Sequence, residues 1–253
     1  GFLDETPICD KCGGTGYIGA EMCECLRELC RQEQKKEVSI LSGMRDNFSH
    51  FRLDCYSERV DPQYGISPRD VMEKNLRECK TYATFFSTKS ESMLFVGNTG
   101  LGKTFLSACI ARVVADRGYS VAYETAGHLF TKMERAKFMN DEQARQETES
   151  YTHCDLLILD DLGTEMPGQF TNVALYGIIN DRLLLGKPTI AALYSLVNDR
   201  MLLGKPTIIS TNLTTEDIAK RYTPQIASRL RGSFKRVPFI GEHIRLMKNG
   251  GLV

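Results

Sequence analysis

Gly97-Asn98-Thr99-Gly100-Leu101-Gly102-Lys103-Thr104 is a complete G-x-x-x-x-G-K-T phosphate-binding loop. Met93-Leu94-Phe95-Val96 precedes it, a short apolar run suited to a buried strand. From Thr104 to Arg117 the residues Phe105, Leu106, Cys109, Ile110, Val113 and Val114 fall on one helical face. Strand, glycine-rich turn and helix are the context the motif requires. The glycines let successive backbone N–H groups turn toward phosphate oxygens, and the helix N-terminus adds partial positive charge. Lys103 is placed to reach the β- and γ-phosphates of a nucleotide, and the Thr104 hydroxyl to ligate Mg2+. Asn98, Thr99, Leu101 and Phe105 complete the set of residues expected to line the nucleotide.

Such a site needs a carboxylate on a neighbouring strand to hold the metal. Asp155-Leu156-Leu157-Ile158-Leu159-Asp160-Asp161 supplies one, an apolar run ending in paired acids. Asp160 is expected to hold the Mg2+ shell, directly or through water. Asp161 stands where a carboxylate orients or deprotonates an attacking water. An Asp reaches less far than a Glu, so slow hydrolysis is expected. The interval between Lys103 and Asp160 has room for a helix, a strand and a second helix.

The 253 residues suit one large α/β domain with a small appendage. Charged residues at 25% and apolar residues at 42% are ordinary for a soluble globular protein. No run approaches the roughly 18 apolar residues of a membrane span, and no signal peptide opens the sequence. Formal net charge is zero, but Lys220 to Lys248 carries eight Lys or Arg against the single acid Glu242. That segment suits either phosphate or nucleic-acid contact or a solvated basic face.

Nine cysteines without a secretory signal favour metal-bound or free thiols and a cytoplasmic location over disulfides. Cys9, Cys12, Cys23, Cys25 and Cys30 fall at the start of the chain. Cys9-Asp-Lys-Cys12-Gly-Gly begins like a zinc knuckle, and Cys23-Glu-Cys25 offers a second pair. Four thiolates suit tetrahedral Zn2+ at about 2.3 Å. In so short a segment metal binding would supply most of the folding free energy. Cys30 is an alternative to Cys23 or Cys25, and an iron–sulfur site or reduced cysteines are the alternatives to zinc.

Residues 1–40 are therefore expected to form the knuckle and a linker helix from Leu26 to Leu41, and residues 41–253 the nucleotide-binding domain. Asp46 to Leu53 is turn-like, and Pro68 to Phe86 should be helical. Val121–Glu124 is the expected second strand, followed by a helix from Ala126 to Met139. Asp141 to Glu149 is highly charged and expected to be exposed. Later strands are expected over Pro206–Asn212 and Val237–Ile240. Alternating β and α elements imply a parallel sheet between helices. A tandem duplication interrupts this order. Residues 174–191 and 192–209 align over 18 positions with 13 identities. Only the second copy runs into Ser210-Thr211-Asn212, so it is assigned the core strand. The first copy is expected to add helix broken at Gly186–Pro188.

The cysteine knuckle followed by Thr-Gly-Tyr, the Asn47-Phe48 turn, G-N-T-G-L-G-K-T, L-I-L-D-D-L-G, I-I-S-T-N-L, Pro224–Gly232 and Gly241–Arg245 together resemble the DnaC/DnaI-like helicase loaders. They also resemble the related IstB-like transposition helper ATPases, both of the AAA+ class. The resemblance covers almost the whole sequence. It implies an AAA+ P-loop ATPase fold with a small Cys-rich knuckle in front. It makes Asn212 the polar sensor of attacking water or γ-phosphate, Arg229 the finger reaching a neighbouring subunit's nucleotide, and Arg245 the second sensor within its own subunit. A planar guanidinium suits phosphoryl oxygens in either role. Arg231 and Arg221 are rivals for the finger. Phe48 and Phe51 either flank the adenine or belong to the core.

The resemblance also implies ATP, Mg2+ and Zn2+ as bound groups, an ATP-dependent homo-oligomer, and single-stranded DNA and a replicative DNA helicase as partners. Lys132, Arg135 and Lys137 offer either DNA backbone contacts or a solvated helix face. In such loaders a helicase-contacting region precedes the knuckle. The leading expectation is an ATP-dependent helicase loader. The alternatives are a transposition helper that grips duplex DNA, and a nucleotide-gated switch with negligible turnover.

Overall fold

The computed structural model describes residues 9–19, 21–26, 29, 47–138, 141–164, 196–197, 199–222, 224–242 and 244. Near the start, β1 (Tyr17–Ile18) and β2 (Glu21–Met22) pair as an antiparallel hairpin. The expected linker helix lies almost wholly outside the described residues, as do the first copy of the duplication and its predicted break.

Short 3₁₀ turns at Phe48–His50 and Leu53–Cys55 lead into α1 (Pro68–Thr84). Ser67 caps α1 by accepting the Asp70 N–H, and Pro68 occupies a first-turn position where a missing N–H costs nothing. The chain continues through β3 (Ser92–Val96), α2 (Lys103–Asp116), β4 (Val121–Thr125), α3 (Ala126–Phe138), α4 (Glu142–His153) and β5 (Leu156–Leu162). After the duplication come β6 (Thr207–Thr211), α5 (Thr215–Arg221), α6 (Pro224–Ser233) and β7 (Phe234–Pro238).

Five strands form one parallel sheet in the order β4-β5-β6-β3-β7. Helices cover both faces, which explains why the central strands read as unbroken apolar runs. Side chains alternate between two cores. Met93, Phe95, Ile158, Ile208 and Val237 pack with α1 and α2 on one face. Leu94, Leu157, Leu159 and Ile209 pack with α3 to α6 on the other. No helix among the described residues is long and apolar enough to cross a membrane.

Two expectations need correction. The acidic strand is not beside the loop strand, because β6 lies between β3 and β5. The last strand begins at Phe234 rather than Val237, since the edge strand β7 tolerates the exposed charges of Lys235 and Arg236 that masked it in the sequence. The charged stretch after Asp141 exposes Glu142, Gln143, Gln146 and Glu149, as expected, on a helix that Asp141 caps through the Ala144 N–H and that buries Ala144.

The second copy of the duplication supplies β6, as its Ser-Thr-Asn continuation required. It also supplies Arg200, which is 1% exposed. Its guanidinium donates to the carbonyls of Tyr151 (2.8 Å), Thr152 (3.1 Å), Cys154 (3.0 Å) and Pro206 (2.5 Å) and to Thr207 Oγ1 (2.8 Å). One cation thus ties the end of α4 to the start of β6. Desolvation holds its pKa below the usual guanidinium value. Arg200→Met would strand several buried carbonyls and should destabilise the fold by roughly 3 kcal/mol or more. Urea unfolding checks this, and an unchanged midpoint would refute the clamp.

Candidate functional site

The loop from Gly97 to Gly102 joins β3 to α2 at the carboxyl edge of the sheet, and Lys103 is the first residue of the helix. Lys103 is 5% exposed, and its Nζ donates to the carbonyls of Gly97 (2.6 Å) and Asn98 (2.7 Å). The loop is therefore wrapped around its own lysine. Gly97 has no room for a side chain, because a Cβ there would lie 2.2 Å from the Phe239 carbonyl oxygen. Gly102 sits at φ +88°, and a Cβ there would meet the Tyr56 hydroxyl at 2.9 Å.

That hydroxyl was missed in the sequence. Tyr56 is buried and donates to the Leu101 carbonyl at 3.0 Å, fixing the loop from outside. Burial pushes its pKa up. Phe51 stacks on Tyr56 with ring centroids 5.8 Å apart and tilts against Phe105 at 5.7 Å. Phe48 packs into the core cluster of the α1–α2 face. Of the two candidate aromatics, Phe51 is the one in ring contact with Phe105.

Asp160 is buried at the end of β5, and both its carboxylate oxygens accept hydrogen bonds. Tyr123 donates its hydroxyl to Oδ2 at 3.0 Å, and Ser210 donates to Oδ1. Asp160 alternates with Ile158, so it faces the α2 side of the sheet, where Thr104 is the second residue of the helix. Asp161 is exposed and holds φ +55°, the one non-glycine residue with positive φ among those described. Asn212 follows β6 directly and is exposed. Because β6 lies between β3 and β5, Asn212 emerges between the loop and the acid pair. The Gly97 N–H donates to the Thr211 carbonyl at 3.3 Å, joining the loop to this strand end.

Arg229 lies part-exposed on α6, and Arg231 on the same helix is exposed, 3.9 Å from Glu216. α6 packs on the face of the sheet opposite α2. Arg221 ends α5 and is exposed. Arg245 is outside the described residues. The backbone N–H of Ile244 donates to the Gly100 carbonyl at 3.3 Å, so the chain reaches the loop one residue earlier.

Lys132 and Arg135 are engaged elsewhere. Lys132 donates to Glu124 (3.0 Å) and the Tyr151 hydroxyl (2.8 Å) and pairs with Glu147 (3.0 Å). Desolvation opposes the charge on Lys132, but these three partners outweigh it and raise the pKa. Arg135 pairs with Asp141 at 2.6 Å. The Lys137 side chain is outside the description. These contacts bind α3 to α4.

The sulfurs of Cys9, Cys12, Cys23 and Cys25 all lie within 4.8 Å of one another. Cys9 and Cys23 sulfurs are 3.8 Å apart, and those of Cys12 and Cys25 are 3.4 Å apart. Four thiolates at about 2.3 Å from one tetrahedral ion would be separated by similar lengths, so the donor set suits zinc. The Gly16 N–H donates to the Cys12 sulfur at 3.3 Å. Desolvation raises the Cys12 pKa, but hydrogen bonds from the Cys25 thiol and the Gly16 and Gly14 amides outweigh it and bring the value to about 6. Cys30, the alternative ligand, is outside the described residues.

A lysine-bearing glycine loop, an acid pair two strands away and a polar residue at the tip of the strand between them define an AAA+ P-loop ATPase fold. The match to the IstB-like ATP binding protein family covers residues 58–214, more than half of the chain, and the chain belongs to that family. It is 24% identical over 143 residues to the replicative helicase loader DnaC of Escherichia coli K12, covering 56% of this chain and 53% of that protein. It is 29% identical over 110 residues to a putative ATP-binding protein of insertion sequence IS5376 from Geobacillus stearothermophilus, covering 43% of this chain and 41% of that protein. The chain thus spans about half the length of the curated relatives it matches. The crystal structure of DnaI superposes with a TM-score of 0.55 at 20% identity, over 79% of this chain and 91% of that one. DnaA from Aquifex aeolicus bound to AMPPCP gives 0.52 at 19%, over 75% and 55%. These two structures speak to the fold alone.

Proposed function

We propose that this chain is an ATP-dependent loader that helps place a replicative helicase on single-stranded DNA, acting in the cytoplasm as an ATP-dependent oligomer. The observation that carries its ATP-driven part is the convergence of Lys103, Asp160 and Asn212 at one edge of the sheet, reached by three different strands. Similarity to the E. coli loader DnaC supports the loading role. A second reading, a transposition helper that recruits a transposase, is supported by the similarity to the IS5376 protein.

In this mechanism Lys103 neutralises charge on the β- and γ-phosphates of ATP while the loop amides hold their oxygens. Thr104 and Asp160 would hold Mg2+, which supplies positive charge at the phosphoryl oxygens. Asp161 orients the attacking water or takes its proton, and Asn212 aligns it. Arg229 of one protomer stabilises phosphoryl charge at the nucleotide of the next, and Arg245 does so within its own protomer. A nucleotide held between protomers makes the assembly sensitive to the γ-phosphate. The short reach of Asp161 keeps turnover slow without DNA or partner. Cys9, Cys12, Cys23 and Cys25 would hold one Zn2+ that folds the hairpin.

Steady-state phosphate release should rise on adding single-stranded DNA, and a hexameric replicative helicase should be retained in pull-downs where a transposase is not. Retention of the transposase alone would establish the second reading instead. Arg229→Ala should lower DNA-stimulated release by about 10³-fold, as loss of an intersubunit arginine does. A wild-type rate in that variant would remove the finger assignment. Elemental analysis should find zinc near one equivalent, and Cys12→Ser should lose it. Iron in its place, or no metal, would contradict the zinc knuckle.

A further inference from the structure

We infer that Ser210 and Tyr123 are positioning residues for the acid pair, with the Ser210 hydroxyl holding the Asp160 carboxylate and the Asp161 backbone N–H at once. The inference rests on the proposal that Asp160 and Asp161 serve an ATP site. Its origin is a bulge in the sheet. Leu159 pairs with Ile209 and Leu162 with Thr211, so Asp160 and Asp161 together stand opposite the single residue Ser210. Such two-against-one bulges re-aim side chains and recur beside active sites.

The directions of the hydrogen bonds are fixed by donor count. An ionised carboxylate only accepts, so the one Ser210 proton goes to Asp160 Oδ1. The same Oγ accepts the Asp161 N–H at 3.0 Å. Tyr123, on the opposite flanking strand, donates to Asp160 Oδ2 at 3.0 Å. Ser210 is fully buried and Tyr123 is 8% exposed, so water does not readily replace either donor. Each carboxylate oxygen keeps a further lone pair for an outside ligand.

Asp161 depends on the same serine. Its φ of +55° is unfavourable for a residue with a side chain. The backbone is held there from both sides. Ser210 takes its N–H, and its carbonyl accepts the Thr164 N–H at 3.2 Å and the Thr164 hydroxyl at 2.8 Å. Tyr123 therefore acts on Asp160 alone, whereas Ser210 acts on both acids.

The difference is testable with Tyr123→Phe, which keeps the ring in the core, and Ser210→Ala. A fluorescent ATP analogue titrated with Mg2+, and separately in EDTA, reports metal-dependent and metal-free binding. Both variants should raise the half-saturating Mg2+ concentration by about 10-fold, the usual scale for losing an outer-shell partner of a metal ligand, with binding in EDTA unchanged. Ser210→Ala alone should also lower kcat at saturating Mg2+ by about 10-fold or more. In an Asp160→Asn background, adding Tyr123→Phe should change the Mg2+ dependence no further. Tyr82→Phe removes a hydroxyl bonded to the Glu91 carbonyl at the far end of β3 and should leave both quantities alone. Should Ser210→Ala fail to fold, as circular dichroism would show, the Tyr123→Phe arm and the Asp160→Asn cycle still decide the Asp160 role. Wild-type Mg2+ dependence in the folded variants, even with lowered melting temperatures, would make the hydroxyls structural only and overturn the inference. A wild-type chain that binds no nucleotide would instead overturn the functional proposal beneath it.

Discussion

A lysine ammonium held almost out of solvent is the constraint around which this end of the sheet is built. Burying such a charge is costly unless oxygens satisfy its donors. The Gly97 and Asn98 carbonyls do so here, and they can reach it because the loop folds tightly over the helix start. The tight fold in turn requires bare backbone at Gly97, where Phe239 closes over it, and an outer brace from Tyr56 on the Leu101 carbonyl. The C-terminal segment belongs to the same construction through the Phe239 N–H on the Val96 carbonyl, 2.7 Å, and the Ile244 N–H on that of Gly100.

The second half of the site is carried by sheet geometry. Placing β6 between β3 and β5 sets Asn212 midway between the lysine loop and the acids. The bulge opposite Ser210 then divides the acid pair, one carboxylate buried toward the α2 face and the other exposed. Two adjacent aspartates thereby acquire different surroundings, as the unlike roles proposed for them in metal holding and water handling require. On the other face, Arg200 and the Glu124–Lys132–Tyr151 network fasten the α3–α4 hairpin.

What the sequence disclosed was whatever is local. The loop, its flanking strand and helix, the acid-tipped run and the clustering of four cysteines are each written in short stretches of sequence. Strand order was not legible, because adjacency in a parallel sheet is set by crossovers that leave no local pattern. For the same reason Tyr123, Ser210, Tyr56 and Arg200 carried no signal: each acts on a residue that is distant in sequence. Ser210 lies 50 residues from Asp160 and Tyr56 45 from Leu101. The edge strand β7 was hidden because its exposed Lys235 and Arg236 obey the needs of an edge rather than of a core.

Calorimetric titration of ATP with Mg2+ into the wild-type chain and into Lys103→Ala, with folding verified for both, tests the account most directly. The account predicts saturable one-site binding to the wild type and its loss in the variant. Equal affinity in the two, or none in a folded wild type, would contradict it.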